Sequence, residues 1–442
     1  MTAQGPAPDL ADLPEAFVLG HLRAPAGLLP DAPGPADAEG LVTLDIAVAG
    51  GRIARLAPAG ALHEDGPRIE RAGALALPGL VDIHTHLDKG FIWNRAPNRD
   101  GSFEGAMTAV AADKPNWSAE DLRRRFDFAL RCAHAHGTVA IRTHLDSEGE
   151  RAHAAWQVFG EMRAAWRGRI ELQAVGLIPI DSVLDPAAFD RLIGLIREHG
   201  GLLGSYTYVT PNLDAGLERL FDAAERHGLA LDLHVDERDR HAHALNDIAD
   251  IALRRRFEGP ILAGHCCALA LKDEAEADRT LDKVAQARIG IVSLPLCNLY
   301  LQDRHPGRTP RWRGVTLLHE MRARGIPVMV ASDNARDPFY AYGDLDLVEV
   351  YREATRIAHL DHPPGDGPAL ISRTPAEWMG IEAGRIAPGR PADLSLFSVR
   401  SLNEFLSRPQ AHRIVLRAGR SVEVKPPFYA ELDDLMECPD EP

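Results

Sequence analysis

Eight short apolar runs, each followed by an amphipathic stretch, recur across about 300 residues of this chain. Each run has the length of a β-strand, and the intervening stretches carry helical periodicity and often end in glycine. Eight strand–helix repeats are the number that closes a (β/α)8 TIM barrel. A doubly wound open sheet is the alternative, but no GxGxxG motif follows the first run. The runs are "LVDIHTH", "TVAIRTHLD", "IELQAVGLIP", "LLGSYTYVT", "LALDLHVDE", "PILAGHCC", "IGIVSLPLCN" and "IPVMVASDN".

Segments with β character also open and close the chain. "LVTLDIAVAGGRIARLAP" alternates apolar and polar residues around Gly50-Gly51, which is typical of a β-hairpin. Near the C-terminus, "PADLSLF" and "HRIVLRAGRSVEV" again have the pattern of strands. We therefore predict an α/β fold with a loose tail over 1–12, a small discontinuous β-sandwich domain from 13–78 and 376–430, and the barrel over 79–375.

Charge and cysteine content exclude several kinds of protein. The net charge of −15 argues against nucleic acid or an anionic membrane surface as the main partner. No apolar run reaches the roughly 18 residues that a transmembrane helix needs, and the first residues do not resemble a signal peptide. The five cysteines are scattered without a CxxC spacing, so a reducing cytoplasm is the simpler prediction.

Polar side chains cluster where the apolar runs end. His84 and His86 end the first run, and their spacing of two places both side chains on the same side of a strand. His234 ends the fifth run, His265 the sixth and Asp333 the eighth. Because the C-terminal ends of barrel strands meet at one face, where active sites lie, we expect these five groups to converge.

Three histidines and a carboxylate that converge on one point are a suitable ligand set for zinc or ferrous iron. Such a site leaves a position open for water, and the metal lowers the pKa of that water toward neutral. Glu237, three residues after His234, is placed to shuttle protons without binding the metal. His144, at the end of the second run, either lines the pocket or supports the ligands from behind.

Each of these residues also has a purely structural interpretation. A lone histidine at a strand end is more often a packing residue, and Asp333 alone would suit the N-cap of a helix. For His265 and Asp333, it is the eightfold pattern that favours a role in the site. Lys89 and Asp88 are interpreted as packing or loop-ordering groups, and the cysteine pair at 266–267 as small buried residues.

The motifs taken together resemble those of the amidohydrolase superfamily. "PGLVDIHTHLDK", "HVDE", "GH" and "SDN" occur in this order at the strand ends, and "IEAGRIAPGRPADLSLF" resembles the return to the small β domain. More closely, the chain resembles the cytosine deaminase branch. The similarity extends over about residues 40–425 and includes "NRDGSFEGAM", "RTHLD", "DLHVDE", "LPLCNLYLQDR" and "SDNARDPFYAYG".

This resemblance implies a metal-dependent hydrolytic deaminase of an amino-substituted nitrogen heterocycle. The implied ligands of one divalent metal ion per chain, zinc or iron, are His84, His86, His234 and Asp333. Glu237 would protonate the ring nitrogen, and His265 would polarise the metal-bound water or stabilise the intermediate. Asp333 would also take the proton from the attacking water. Metal hydroxide would add to the C–NH2 carbon, and ammonia would leave.

Departures from the cytosine deaminase pattern concern the substrate. That enzyme carries a glutamine at the end of the third strand to read the pyrimidine, whereas Pro179 stands there and has no amide to donate. Asn334 replaces a second aspartate, and Phe339 replaces a nearby aromatic residue. Losing a polar reader disfavours cytosine itself, which leaves a purine, a pterin or a triazine open. The candidate substrate contacts are Asn334, Phe339, Trp93, Tyr206, Pro179 and His144.

Two other functions are considered beside the deaminase. One is an amidohydrolase that removes an alkylamine from a triazine or opens a cyclic amide. Asn334 also occurs in a triazine relative that lacks the glutamate of "HVDE", while cyclic-amide relatives need a lysine that "LLGSYTYVTPN" does not offer. The other is a non-catalytic binding barrel, which predicts a missing ligand or glutamate, yet all are present. The expected partner is a small heterocyclic molecule, and the family resemblance is compatible with a homo-oligomer.

Overall fold

The structure is a computed structural model that describes residues 13–63, 66–422 and 425–436. The loose tail predicted for 1–12 lies outside the described residues, and so does Cys438. The described residues divide into two compact units. The first unit consists of the described residues within Met1–Asp82, Arg131–Ala140 and Asp346–Pro426. The second consists of the described residues within Ile83–Leu130, Ile141–Leu345 and Pro427–Pro442.

Strands and helices alternate through the middle of the chain. The strands are β1 (Ala16–Pro25), β2 (Leu41–Ala49), β3 (Arg52–Pro58), β4 (Arg68–Glu70), β5 (Leu75–Pro78), β6 (Leu80–Thr85), β7 (Thr138–Asp146), β8 (Glu171–Pro179), β9 (Leu202–Tyr206), β10 (Leu231–Val235), β11 (Ile261–His265), β12 (Gly290–Ser293), β13 (Val328–Val330), β14 (Leu394–Phe397), β15 (Arg413–Arg417) and β16 (Arg420–Ser421). The α-helices are α1 (Phe103–Asp113), α2 (Ala119–Ala135), α3 (Ala152–Ala165), α4 (Pro186–His199), α5 (Leu213–His227), α6 (Ala244–Arg255), α7 (Glu274–Gln286), α8 (Pro295–Leu301), α9 (Leu318–Ala323), α10 (Leu347–Ala358), α11 (Arg373–Met379), α12 (Leu402–Ser407) and α13 (Asp433–Met436).

Strands β6 to β13 form an eight-stranded sheet in which each strand lies beside the next along the chain. The pairings from β8 to β13 are parallel, and at least one helix follows every strand. A parallel bridge between Thr85 and Asp333 joins the first strand to the segment after the last. The sheet therefore closes into a nearly complete barrel, and the predicted (β/α)8 architecture is confirmed.

Helix α4 illustrates how local sequence sets the limits of the barrel helices. A carboxylate oxygen of Asp185 accepts the backbone N–H groups of Ala187 at 2.9 Å and Ala188 at 3.2 Å, which satisfies donors that the helix itself leaves unpaired. Pro186 occupies the first position, where its missing N–H costs nothing. Gly200 ends the helix in the left-handed conformation at φ 66°.

The strands from both chain ends form a second eight-stranded sheet, in the order β16-β15-β14-β5-β1-β2-β3 with β4 beside β1. The predicted hairpin is confirmed: β2 and β3 pair antiparallel around Gly50 and Gly51, whose φ values of 56° and 75° suit a tight turn that favours glycine. The apolar core of this sheet includes Leu19, Ile46 and Leu394. In the described part of the chain, no helix is both long and apolar enough to cross a bilayer.

Candidate active site

The C-terminal ends of the barrel strands bring the expected metal ligands together. His84 lies in β6 and His86 directly follows it, His234 lies in β10, and Asp333 follows β13. Nε2 of His86 is 3.2 Å from Nε2 of His234 and 3.3 Å from Oδ1 of Asp333. Nε2 of His84 is 3.5 Å from the same carboxylate oxygen. None of the four residues is more than 6 % exposed, so they form one buried cluster.

The backbone around this cluster is strained and tightly held. Asp236, His265 and Asp333 have φ values of 50°, 69° and 60°, which non-glycine residues rarely adopt. Such conformations cost about 1–3 kcal/mol each and persist where surrounding contacts fix them. The backbone N–H of Asp333 donates to the His84 carbonyl at 2.8 Å, and that of His86 donates to the Asp333 carbonyl at 3.2 Å. The backbones that carry His84, His86 and Asp333 therefore hold each other in place.

Electrostatics keep the cluster in the protonation state that binds a metal. Burial lowers the pKa of His84 to about 3 and holds the pKa values of His86 and His234 well below 6.5. Burial alone would raise the pKa of Asp333, but the adjacent His84 and His86 hold it well below its usual range. The site thus presents neutral imidazoles and one carboxylate, a donor set that suits zinc or ferrous iron.

Several donor atoms of the cluster make no hydrogen bond within the described residues. They are both carboxylate oxygens of Asp333, both ring nitrogens of His84, Nδ1 of His86, Nδ1 of His234 and Nε2 of His265. Buried polar atoms without partners are costly and rare, and a bound cation would satisfy those that face it. The residues present therefore fit one divalent metal ion.

Two overlapping sets of four residues could hold that ion. In each set the ligand atoms lie within 4.8 Å of one another. One set contains His84, His234, His265 and Asp333, and the other contains His84, His86, His144 and His234. His84 and His234 belong to both sets, and the predicted ligands His86 and Asp333 each belong to one of them. The assignment of the ligands therefore stays a prediction.

His144 lies beneath the cluster rather than in the wall of the cavity. Its ring centre is 4.0 Å from that of His84, and its Nε2 is 3.1 Å from Oδ1 of Asp232. Arg142 donates to the other oxygen of Asp232 at 2.8 Å. This buried chain of Arg142, Asp232 and His144 orients the imidazole beside His84. Of the two predicted roles for His144, its position favours support of the ligands from behind.

Gly264 in β11 gives His84 the space that it occupies. A Cβ atom at position 264 would lie 3.0 Å from Cε1 and 3.3 Å from Nδ1 of His84, closer than the usual 3.5–4.0 Å between carbon atoms. We expect Gly264→Ala to displace the imidazole and to weaken metal affinity about 10-fold, as measured by competition with a chelator. Gly194→Ala is the control, because a Cβ there meets nothing within 4 Å. Equal affinities in the two variants would argue against His84 as a ligand.

Glu237 and His265 face each other beside the cluster. Oε1 of Glu237 is 3.5 Å from Nδ1 of His265, and the Asn298 amide contacts both: its Nδ2 donates to Glu237 at 3.3 Å and lies 3.1 Å from the His265 nitrogen. Gln302 donates to the backbone carbonyl of Glu237. Burial raises the pKa of Glu237. Asn298 and Gln302 were not predicted; their spacing of four at α8, within "LPLCNLYLQDR", was the signal available.

A cavity of about 520 Å³ opens onto this cluster, a volume that suits a small-molecule ligand. The expected site residues that line it are His86, His234, Glu237, His265, Asp333, Asn334, Phe339, Tyr206 and Pro179. Trp93 is not part of this lining. Its backbone N–H donates to the Arg336 carbonyl at 2.8 Å, so the loop at Trp93 is anchored to the segment after β13.

Lys89 lies in the wall of the cavity. The sequence predicts a packing or loop-ordering role for it, and the turn after β6 places it beside Asp146. Its Nζ donates to Asp146 at 2.9 Å and lies 5.3 Å from the centre of the Phe339 ring. Burial alone would lower the pKa of Lys89, but Asp146 and Asp88 hold it above its usual value. The cavity wall therefore contains a buried ion pair of Lys89 and Asp146.

Comparison with known proteins gives consistent matches. The model of the Amidohydrolase family matches residues 184–423. A pterin deaminase from Rhizobium rhizogenes is 52% identical over 423 residues, which cover 95% of this chain and 97% of that protein. The crystal structure of 5-methylcytosine deaminase from Klebsiella pneumoniae has a TM-score of 0.79 at 24% identity, over 93% of this chain and 97% of that chain. N-isopropylammelide isopropylaminohydrolase from Burkholderia multivorans has a TM-score of 0.73 at 26% identity, over 92% and 98%.

Proposed function

This chain belongs to the amidohydrolase family, and from that premise we propose that it removes the amino group from a pterin ring. It is a hydrolase of carbon–nitrogen bonds and a deaminase of an amino-substituted nitrogen heterocycle, in agreement with the sequence analysis. The observation that carries the choice of pterin is the 52% identity to a pterin deaminase over nearly the whole length of both proteins.

The walls of the cavity support a flat aromatic substrate. The rings of Phe103 and Phe339 are 5.5 Å apart in an edge-to-face arrangement, and Met107, Val110 and Leu177 add apolar surface to the lining. Polar groups also line the cavity, among them Glu237, His234 and His265. An apolar cavity with a few polar groups binds a flat ring and fixes its orientation.

The proposed mechanism assigns one role to each group. His84, His86, His234 and Asp333 would hold one divalent ion, zinc or ferrous iron, which when bound lowers the pKa of a water molecule. The Glu237 carboxyl group gives its proton to the ring nitrogen beside the amino-bearing carbon, which makes that carbon more electrophilic. Asp333 accepts a proton from the attacking water. His265 stabilises the negative charge that develops on the added oxygen.

The balance of atoms then follows from these proton movements. Water adds across the C=N bond of the ring, and the amino group takes up a proton to become a leaving group. The C–N bond breaks, ammonia departs, and a lactam remains in the ring. Asn298 keeps Glu237 and His265 in fixed positions through its contacts to both side chains, so the proton donor does not have to reorganise during the reaction.

The cellular setting is part of the proposal. Cys266, Cys267 and Cys297 are buried thiols outside any disulfide, which supports a reducing cytoplasm. The net charge of −15 supports a small molecule rather than nucleic acid or a membrane surface as the partner. A homo-oligomer stays a proposal that rests on the family resemblance.

Ammonia release from a panel of rings tests this function. The protein is reconstituted separately with zinc and with ferrous iron and is assayed with pterin, guanine, cytosine, 5-methylcytosine and N-isopropylammelide. We expect kcat/KM for pterin to exceed that for cytosine by at least about 100-fold, because Pro179 offers cytosine no polar reader. A higher kcat/KM for cytosine would contradict the proposal. Release of isopropylamine as the dominant activity would support the triazine alternative.

A further inference from the structure

Polar side chains face the cavity from opposite sides of the barrel: Glu237 on one side, and the pair of Lys89 and Asp146 on the other. Glu237 follows β10, the fifth barrel strand, whereas Lys89 follows β6 and Asp146 ends β7, the first and second strands. All three residues line the same cavity. In a closed barrel of eight strands, the fifth strand stands across from the first. A ring that contacts Glu237 with one edge therefore turns its other edge toward Lys89 and Asp146.

The Lys89–Asp146 pair has hydrogen-bonding capacity to spare. Among the described residues, Lys89 Nζ donates one hydrogen bond, to Oδ1 of Asp146 at 2.9 Å, although an ammonium group carries three N–H donors. The second oxygen of Asp146 lies 3.1 Å from Nζ of Lys114, and each carboxylate oxygen can accept more than one bond. Lys89 is 6 % exposed, so an unused donor on it is costly unless the cavity supplies an acceptor.

The far edge of a pterin matches this pair. The amino-bearing carbon lies between two ring nitrogens; the one without a hydrogen is the one that Glu237 would protonate. The other nitrogen carries a hydrogen and is followed by a carbonyl, so the far edge offers one donor beside one acceptor. A carboxylate beside an ammonium group offers the complementary acceptor and donor.

We propose that Lys89 and Asp146 together recognise this lactam edge, with Asp146 accepting the ring N–H and Lys89 donating to the ring carbonyl. The proposal rests on the proposed function and names the groups that select its substrate. It also explains how the ring can be recognised although Pro179, at the end of the third strand, has no side-chain hydrogen-bonding group. The groups that recognise the ring come from the ends of the first and second strands instead. Asp88, whose carboxylate accepts the backbone N–H of Asp146 at 2.7 Å, holds the reader in place.

The pair of substrates that tests this proposal is pterin and 2,4-diaminopteridine. The second compound has an amino group in place of the carbonyl and a bare nitrogen in place of the N–H, so donor and acceptor are exchanged along the edge. We expect the wild-type protein, loaded with zinc, to favour pterin by at least about 1,000-fold in kcat/KM, because buried polar readers strongly reject mismatched partners. Ammonia release measures both reactions.

Two substitutions should reduce this preference. Lys89→Met removes the donor, and Asp146→Asn replaces the acceptor-only carboxylate with an amide of the same shape. In each variant we expect kcat/KM for pterin to fall about 100-fold and that for 2,4-diaminopteridine to change by less than about 3-fold. Their ratio therefore falls by at least about 30-fold. Asp146→Asn is nearly isosteric, so it keeps the test valid if Lys89→Met does not fold.

Lys114→Met is the matched control. It removes the other cation that contacts Asp146 but leaves Lys89 in place, so it is expected to change both kcat/KM values by the same factor. Metal content and melting temperature are measured for every variant. If Lys89→Met and Asp146→Asn lower both activities equally, the two residues have only a structural role and the proposal is overturned, while the proposed function stands.

Failure of the proposed function gives a different result. If the wild-type protein releases no ammonia from pterin, that function is wrong. The same variants are then compared with guanine, which carries the same lactam edge, and with 2,6-diaminopurine, which exchanges it. A reduced preference for guanine in the variants would support recognition of the lactam edge by Lys89 and Asp146, although pterin is not the substrate. Activity of the wild-type protein only on rings without this edge would overturn both.

Discussion

Glu237→Gln is expected to lower kcat about 1,000- to 10,000-fold and to leave the metal content unchanged. Glutamine has the shape of glutamate but carries no exchangeable carboxyl proton, so the ring nitrogen loses its acid. Glu237 is not in either set of residues that could hold the ion, which is why the metal should remain. Stopped assays of ammonia release give kcat, and elemental analysis of the dialysed protein gives metal per chain.

The size of this effect separates acid catalysis from simple packing. A loss of three to four orders of magnitude corresponds to about 4–5.5 kcal/mol of transition-state stabilisation, more than a lost neutral hydrogen bond contributes. Glu148→Gln is the matched control, because Glu148 lines the same cavity but accepts a hydrogen bond from Ser182 at 2.7 Å. We expect that variant to lose less than about 10-fold. Near-normal turnover in Glu237→Gln would refute the assigned role.

The barrel and the histidine cluster could be predicted because their signals are local. The spacing of His84 and His86 fixes both side chains relative to one strand, and the repeated strand ends place His234, His265 and Asp333 at one face. The hairpin at Gly50-Gly51 is equally local. Strand β1 was not predicted: His21, with φ 51°, lies at a register shift between Leu19 and Leu22 that interrupts the alternation on which strand prediction depends.

Part of the cavity wall could not be predicted, because it depends on turns and not on periodic elements. Lys89 enters the wall only because the chain turns back after His86, and its partner Asp146 comes from another strand. Asn298 contacts Glu237 and His265 across a sequence separation that no spacing rule covers. Trp93, an aromatic residue near the motif, is not part of the cavity lining, and its contact with the substrate stays a prediction. The end of a strand predicts the position of a residue in the fold, but the conformation of the following turn determines the direction of its side chain.

His84→Ala is expected to lose both the bound metal and all activity above background. His84 belongs to both sets of residues that could hold the ion, and it is fully buried with its Nε2 3.5 Å from Asp333. Alanine supplies no donor, so we expect metal affinity to fall by more than about 100-fold, beyond the effect of changing a residue behind the ligands. Elemental analysis after dialysis measures the metal, and far-UV circular dichroism checks that the protein is folded.

Two further variants test whether Asp333, as proposed, or His144 completes the ligand set beside His84, His86 and His234. His144→Ala removes a member of one set and Asp333→Ala a member of the other. Because His144 also contacts Asp232, we expect its loss to weaken metal binding only about 10- to 100-fold, as for a residue behind the ligands. Asp333→Ala should lose the metal as completely as His84→Ala does. The reverse order would place His144 among the ligands and exclude Asp333, and full metal content in His84→Ala would mean that neither set binds the ion.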